Sequence, residues 1–317
     1  MKPKRFSLSP DSFFKWILAA AGLFIISIVG LMIVVMAIQS WPVFQQFGLQ
    51  FIYGTDWRPG ENASKPPSFA ALPFIYGTVV SSLLALIIAV PLGLGAAIFL
   101  NELAPRFLRT PISFLVELLA AIPSVVYGMW GMFYLVPFLH DYIMPFLSNT
   151  IGFIPLFQPP IRGFSMFSAG VILAIMILPF ITAVAREVLA AVPNSQREAA
   201  LALSATKWEM IRKAVIPYGR SGIVGAVMLG WGRALGETMA VTMLIGNVPI
   251  INASLFRPGY TMASVIASEI REATYPLFVE ALIAVGLLLF LVTFIVNGMA
   301  RLLIIRMGKV SVGGQNE

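Results

Sequence analysis

The sequence predicts an all-α polytopic membrane protein with six transmembrane helices and both termini on the cytoplasmic side. Three observations carry this: composition, recurring long apolar runs, and the distribution of basic residues. Of the 317 residues, 59% are hydrophobic and 11% charged, and the mean hydropathy is +0.90. An ordinary soluble domain is about one quarter charged. Apolar runs of roughly 20 residues or more, enough to cross a bilayer, recur along the chain.

The elements follow in order. A cytoplasmic tail, 1–14, precedes a first span over 15–38. Its apolar stretch is too long for the core of a typical signal peptide, and it runs into Gln39-Ser40-Trp41-Pro42, a poor cleavage site, so retention is expected. Residues 39–70, rich in Pro, Gly, Ser and Asn, read as a periplasmic loop. The core, 71–306, then contains spans over 71–100, 110–139, 165–191, 217–246 and 277–306. Several exceed the bilayer thickness, which implies tilt or extension beyond it. Residues 140–164, with Pro145, Pro155, Pro159 and Pro160, read as a second outer loop. Residues 192–216 are too polar to span and form a cytoplasmic loop; 307–317 is a cytoplasmic tail. Asn62-Ala63-Ser64 and Asn252-Ala253-Ser254 match a glycosylation pattern short enough to arise by chance.

Orientation comes from the 21 Lys and Arg residues. Clusters at Lys2–Lys15, Arg106–Arg109, Arg186–Arg220 and Arg301–Lys309 fall on one side, and only Arg58, Lys65, Arg162, Arg257 and Arg271 on the other. The basic side is cytoplasmic. The chain has no Cys, one His (His140) and three Asp (Asp11, Asp56, Asp141) without a D-x-x-D cluster. Disulfides and thiolate or histidine metal centres are excluded, and little equipment remains for a membrane enzyme.

Arg233 is the one basic residue deep in a span, within LGWGRALGETMAV. It follows Pro217 by sixteen residues, about 24 Å along a helix, near the bilayer midplane. An ionised residue there costs about 2.5–3.5 kcal/mol on insertion scales. On one continuous helix, Arg233 and Glu237 share a face with Gly219, Gly222, Ala226 and Gly230, and stand four residues apart, within pairing reach. Small residues line helix contacts in membranes, so this face is expected to point into the bundle. The pair reads either as structural glue or as the charged lining of an anion path, since guanidinium groups suit oxyanions.

Glu117 lies in another span, closer to the cytoplasmic end, as a second candidate for pathway or packing. Pro123 is expected to bend that helix, with Ser124 or Tyr127 placed to satisfy the freed backbone groups. Gly128 and Gly131 permit close packing.

The most specific signal is REAALALSATKWEMIRKAVIP, residues 197–217. Glu198-Ala199-Ala200, followed by Ser204 and closed by Ile216-Pro217, resembles the EAA motif of ABC importer permeases. Ser204 stands at the motif's Gly, Ala214 at its Ile and Ile216 at its Leu. GRALGETMAV resembles the permeases of phosphate-specific transport (Pst) systems. TVVSSLLALIIAVPLGLGAAIFLNELAP, VELLAAIPSVVYGMWG and SLFRPGYTMASVIASEI resemble their PstC type, with the paired PstA type as the alternative.

The resemblance implies the type I ABC importer permease fold and import of inorganic phosphate. It implies a coupling helix running from Glu198 through Ala199, Ala200, Ser204, Ala205 and Thr206 to Lys207, docked on an ATPase. It associates Arg233 and Glu237 with phosphate translocation. No P-loop is present, since Gly308-Lys309 is followed by Val310. ATP-Mg therefore belongs to partner subunits, no cofactor is expected on this chain, and the chain by itself is not an enzyme. The implied partners are a PstA-like permease, a PstB-like ATPase homodimer and a PstS-like phosphate-binding protein. Charge and shape alone leave sulfate or molybdate open, and a passive anion channel would share the buried Arg without needing the EAA loop.

Overall fold

The structure is a computed structural model and describes residues 10–60 and 66–312. Lys2, Lys4, Arg5, Lys65 and the Asn62 pattern lie outside the described residues, as do 313–317. Every regular element among the described residues is helical; one antiparallel bridge joins Arg58 and Ser68 in the segment before the helix Leu72–Ile98.

The helices used below are α1 (Pro10–Phe47), α2 (Leu72–Ile98), α3 (Arg106–Ala121), α4 (Ser124–Trp130), α5 (Met166–Ala190), α6 (Asn194–Ala202), α7 (Lys207–Met210), α8 (Ile216–Leu235), α9 (Met239–Leu244), α10 (Met262–Glu269) and α11 (Pro276–Val312). By length and composition α1, α2, α5 and α11 can each cross a membrane, and the bent pair from Arg106 to Ile151 gives a fifth candidate. The expected sixth, over 217–246, is two helices, α8 and α9, separated at Gly236–Thr238. The region expected as an outer loop from residue 140 is helical as far as Ile151, through a π turn at Leu139–Ile143 and the helix Met144–Ile151. Pro145 does not stop it, because it follows directly on the π turn, where the regular i→i−4 ladder is already interrupted.

α5 is the central helix, with 67% of its apolar window buried; none of the corresponding window of α1 is. α5 packs along α2 and α8 through small residues. A Cβ on Gly170 would lie 2.5 Å from Leu84, and one on Gly230 would lie 2.6 Å from Ile181. Thr182 Oγ1 donates to Leu178 O in its own helix (2.8 Å) and to Gly93 O of α2 (3.2 Å). Close backbone approach of this kind is how membrane helices gain packing energy without a hydrophobic driving force.

A second core fixes the segment between α1 and α2. Trp57 meets Phe69 and Phe74 edge-on at centroid distances of 4.9 and 4.8 Å, and Phe69 stacks on Phe278 of α11. Trp57 Nε1 donates to Glu269 Oε2 at 2.9 Å, so the indole's polar edge is satisfied where its ring is buried. Gly77 is required here: a Cβ would lie 2.1 Å from the carbonyl oxygen of Tyr260.

Candidate functional site

Two interrupted helices meet in the bundle. The first break falls at Ile122-Pro123, where both residues are extended and α3 and the helix continuing from α4 diverge by 92°. Proline disfavours the helical region for the residue before it, so Ile122 leaves the helix. Tyr127 then donates its hydroxyl to Leu119 O at 2.8 Å, which straps the two arms of the bend together. Ser124 forms no such bond among the described residues.

The second break separates α8 from α9. Thr238 takes φ −111°, ψ −65°, and α9 starts at Met239. The two broken segments are in direct contact: a Cβ on Gly128 would lie 2.6 Å from Met243 Sδ and 3.1 Å from Ala240 Cα, and one on Gly131 would lie 2.9 Å from Leu244. Gly128 and Gly131 thus allow α4 and α9 to approach this closely.

The break changes the reading of Arg233 and Glu237. Sequence spacing puts them in pairing reach on one helix, but α8 ends at Leu235 and they form no ion pair. Glu237 instead accepts a hydrogen bond from Ala240 N at 3.4 Å and so caps the first turn of α9. A carboxylate at a helix N-terminus satisfies a donor that has no intrahelical partner. The glycine seam of α8 (Gly219, Gly222, Gly230) faces α5, as small residues predict, but Arg233 lies on the adjoining open flank with Tyr218 and Leu229. Its guanidinium is within electrostatic range of Tyr127 and forms no hydrogen bond or ion pair among the described residues.

Asn297 of α11 belongs to this neighbourhood: its Oδ1 lies 3.5 Å from where a Cβ on Gly232 would sit. Sequence reading passed over it, although an amide inside an otherwise apolar span is a visible signal. Glu117 belongs elsewhere. It pairs with Arg186 of α5 at 2.9 Å and is 57% exposed, so it ties α3 to α5 away from the breaks.

The loop after α5 is two short helices held by local caps and turns. α6 carries Glu198, Ala199 and Ala200; Ala200 packs against the apolar cluster that includes Leu189, Val192 and Ile211, and Glu198 and Ala199 are exposed. α6 ends in a Schellman turn, with Ser204 N donating to Leu201 O (2.9 Å) and Ala205 N to Ala200 O (3.2 Å). Ser204 has φ +60°, which explains why the motif calls for Gly at this position. Thr206 caps α7, which begins at Lys207, in a reciprocal box with Glu209. The Thr206 backbone N–H first, then the Lys213 ammonium, hold the Glu209 carboxyl down at about 2. Leu201, Leu203 and Trp208 stand exposed at the tip, Leu203 by 85%. An apolar cluster on an otherwise polar loop marks a contact surface.

Known proteins resemble this chain in sequence and in fold. The sequence profile of the family described as binding-protein-dependent transport system inner membrane component matches residues 89–309. The phosphate transport system permease protein PstC of Xylella fastidiosa is 46% identical over 303 residues, covering 94% of this chain and 92% of its own. The corresponding PstC of Mesorhizobium japonicum is 44% identical over 96% of this chain and 92% of its own. Among solved structures, a bacterial ABC transporter involved in the import of the acidic polysaccharide alginate aligns over 92% of this chain and 97% of its own, with a TM-score of 0.55 and 19% identity, which shows the shared fold. The chain is thus a multi-pass inner-membrane transport component rather than an enzyme, and it belongs to the family of binding-protein-dependent transport system inner membrane components, among the PstC-type permeases.

Proposed function

We propose that this chain is a membrane-spanning subunit of an ATP-driven importer of inorganic phosphate, and that Arg233 lies on the path of the anion. The observation that carries the second part is a guanidinium on an open helix flank beside two helix breaks, without an ion-pair partner among the described residues. A buried or lipid-facing charge is expensive, so the flank needs a cover. A PstA-like second permease supplies that cover, and phosphate supplies the counter-charge in transit. The PstC-type relatives support the substrate.

As an ABC importer subunit, the chain works with an ATPase and a substrate-binding protein. In this reading these are a PstB-like homodimer, which holds ATP-Mg, and a PstS-like protein on the periplasmic side; this chain carries no cofactor. α6 and α7 dock on the ATPase through the exposed tip. Closure of the ATPase moves α6, and the π turn Ile211–Val215 carries that movement directly into α8 and Arg233. Glu237 shapes the site by holding α9 in place rather than by neutralising Arg233.

The test is radiolabelled phosphate uptake in cells without their own high-affinity route. The cells express this chain with its three partners, as wild type and as Arg233→Gln. Loss of uptake with normal assembly is the expected result. Full uptake in the variant removes Arg233 from the path. Competition by sulfate at equal concentration assigns a different oxyanion.

A further inference from the structure

Arg197 stands in the first turns of α6 and sends its guanidinium back under α5. Nη2 donates to Glu102 Oε1 and to Leu189 O, both at 2.8 Å. Nε lies 3.3 and 3.4 Å from the two Glu102 oxygens. Nη1 donates to Val192 O and, at 3.3 Å, to Asn194 Oδ1. The side chains are 14% and 7% exposed, so this is a buried ion pair. One guanidinium thereby joins the end of α2, the last turn of α5 and the first turn of α6.

Glu102 is aimed by its backbone. It lies in the π turn Phe99–Leu103 that closes α2, and it also accepts from Asn101 Nδ2 at 2.6 Å. A π turn inserts an extra residue and redirects side chains, often where function requires it. Arginine suits this position because its planar fork serves several acceptors at once, which a lysine ammonium does not.

α2 leads onward to the Arg233 region. It packs against α8 as well as α5, and Trp231 Nε1 donates to Ser82 Oγ across that contact at 3.1 Å. Trp231 is on the same helix as Arg233 but two residues away, on its opposite, inward side, so α2 meets the helix that carries Arg233 from behind. Two routes therefore leave the docking loop: the covalent one through Ile211–Val215, and a second one from Arg197 through Glu102 and α2.

We infer that Arg197 and Glu102 are positioning residues that form a strut, tying movement of α6 to α2 so that α2 and α8, the helix that carries Arg233, shift together. This rests on the ATP-driven import reading above. Buried ion pairs add little net stability over apolar packing, which leaves geometry as the use of this one. A contact between sites is only a route if altering it changes their coupling.

The experiment uses the complete four-component transporter in liposomes and measures phosphate uptake and ATP hydrolysis per assembled complex. Glu102→Gln keeps the shape and removes the charge; Arg197→Lys keeps the charge and removes the fork. The expected result is a fall of about fivefold in phosphate moved per ATP in each, with hydrolysis retained. The double variant is expected to be no worse than the worse single. An unchanged ratio in both singles overturns the strut, even if less complex assembles. Should Glu102→Gln fail to assemble, the ratio in Arg197→Lys decides. Wild type without ATP-dependent phosphate uptake would refute the import reading itself, a separate outcome.

Discussion

Arg197 and Arg233 are two guanidinium groups in one apolar bundle, and they are housed in opposite ways. Arg197 is enclosed by carboxylate, carbonyl and amide acceptors from three pieces of chain. Arg233 has an electrostatic neighbour in Tyr127 and no hydrogen bond or ion pair among the described residues. The first site is complete within the chain and reads as machinery. The second is complete only in company. Charge alone therefore does not separate the two; the partners each finds within the chain do.

The contrast is broken most forcefully at Glu102. Glu102→Ala leaves Arg197 buried against a missing partner, and it is expected to destabilise the protein by about 3 kcal/mol. Arg233→Gln removes a charge with no such partner and is expected to leave the thermal midpoint in detergent unchanged while uptake is lost. Parallel melting curves check both, and equal destabilisation would abolish the distinction. Next in size is Ser204→Gly. It relieves a left-handed residue at the end of α6 and is expected to stabilise by about 1 kcal/mol, read as a rise in the same midpoint.

A smaller effect sharpens the rule for exposed pairs. Glu117→Gln opens the half-exposed bond to Arg186 and is expected to change stability by about 0–1 kcal/mol, well below Glu102→Ala. The smallest effect concerns pH. The folded carboxyl of Glu209 is depressed from 4.5 to about 2, so its contribution is present above 4.5 and fades as pH falls through about 2. Hydrogen exchange at the Thr206 amide should stay slow to well below pH 4.5 and quicken near 2. Glu209→Gln should remove that dependence.

Much of this was legible in the residues. α1, α2, α5 and α11 are long apolar runs, and Pro123 announces its own bend. The EAA loop was readable because capping and turn chemistry are local: Ser204 and Thr206 act within a few residues of themselves. The gap between α8 and α9 was not. A single Gly inside an apolar run is tolerated, and continuous phase from Arg233 to Glu237 was the simplest extrapolation. Packing of α9 on Gly128 of α4 accompanies the break, and that is a tertiary contact. The bond from Arg197 to Glu102 spans 95 positions and that from Trp57 to Glu269 spans 212, distances over which a single sequence carries no register. The helix over 144–151 was hidden because a proline usually marks a loop, and only the π turn before Pro145 lets it sit inside a helix.

α1 and α11, the first and last helices, pack on each other, while α1 buries none of its apolar window. Between them lie about 230 residues. At translation rates of 5–20 residues per second, the first helix waits roughly 10–50 s for its mate. During that interval the chain offers it only the nearby segment, where Phe44 meets Phe51 and Phe47 meets Phe69 edge-on, and lipid covers the rest, which its mean hydropathy of 2.8 allows. The contact between α1 and α11 therefore forms only after the helices between them have emerged.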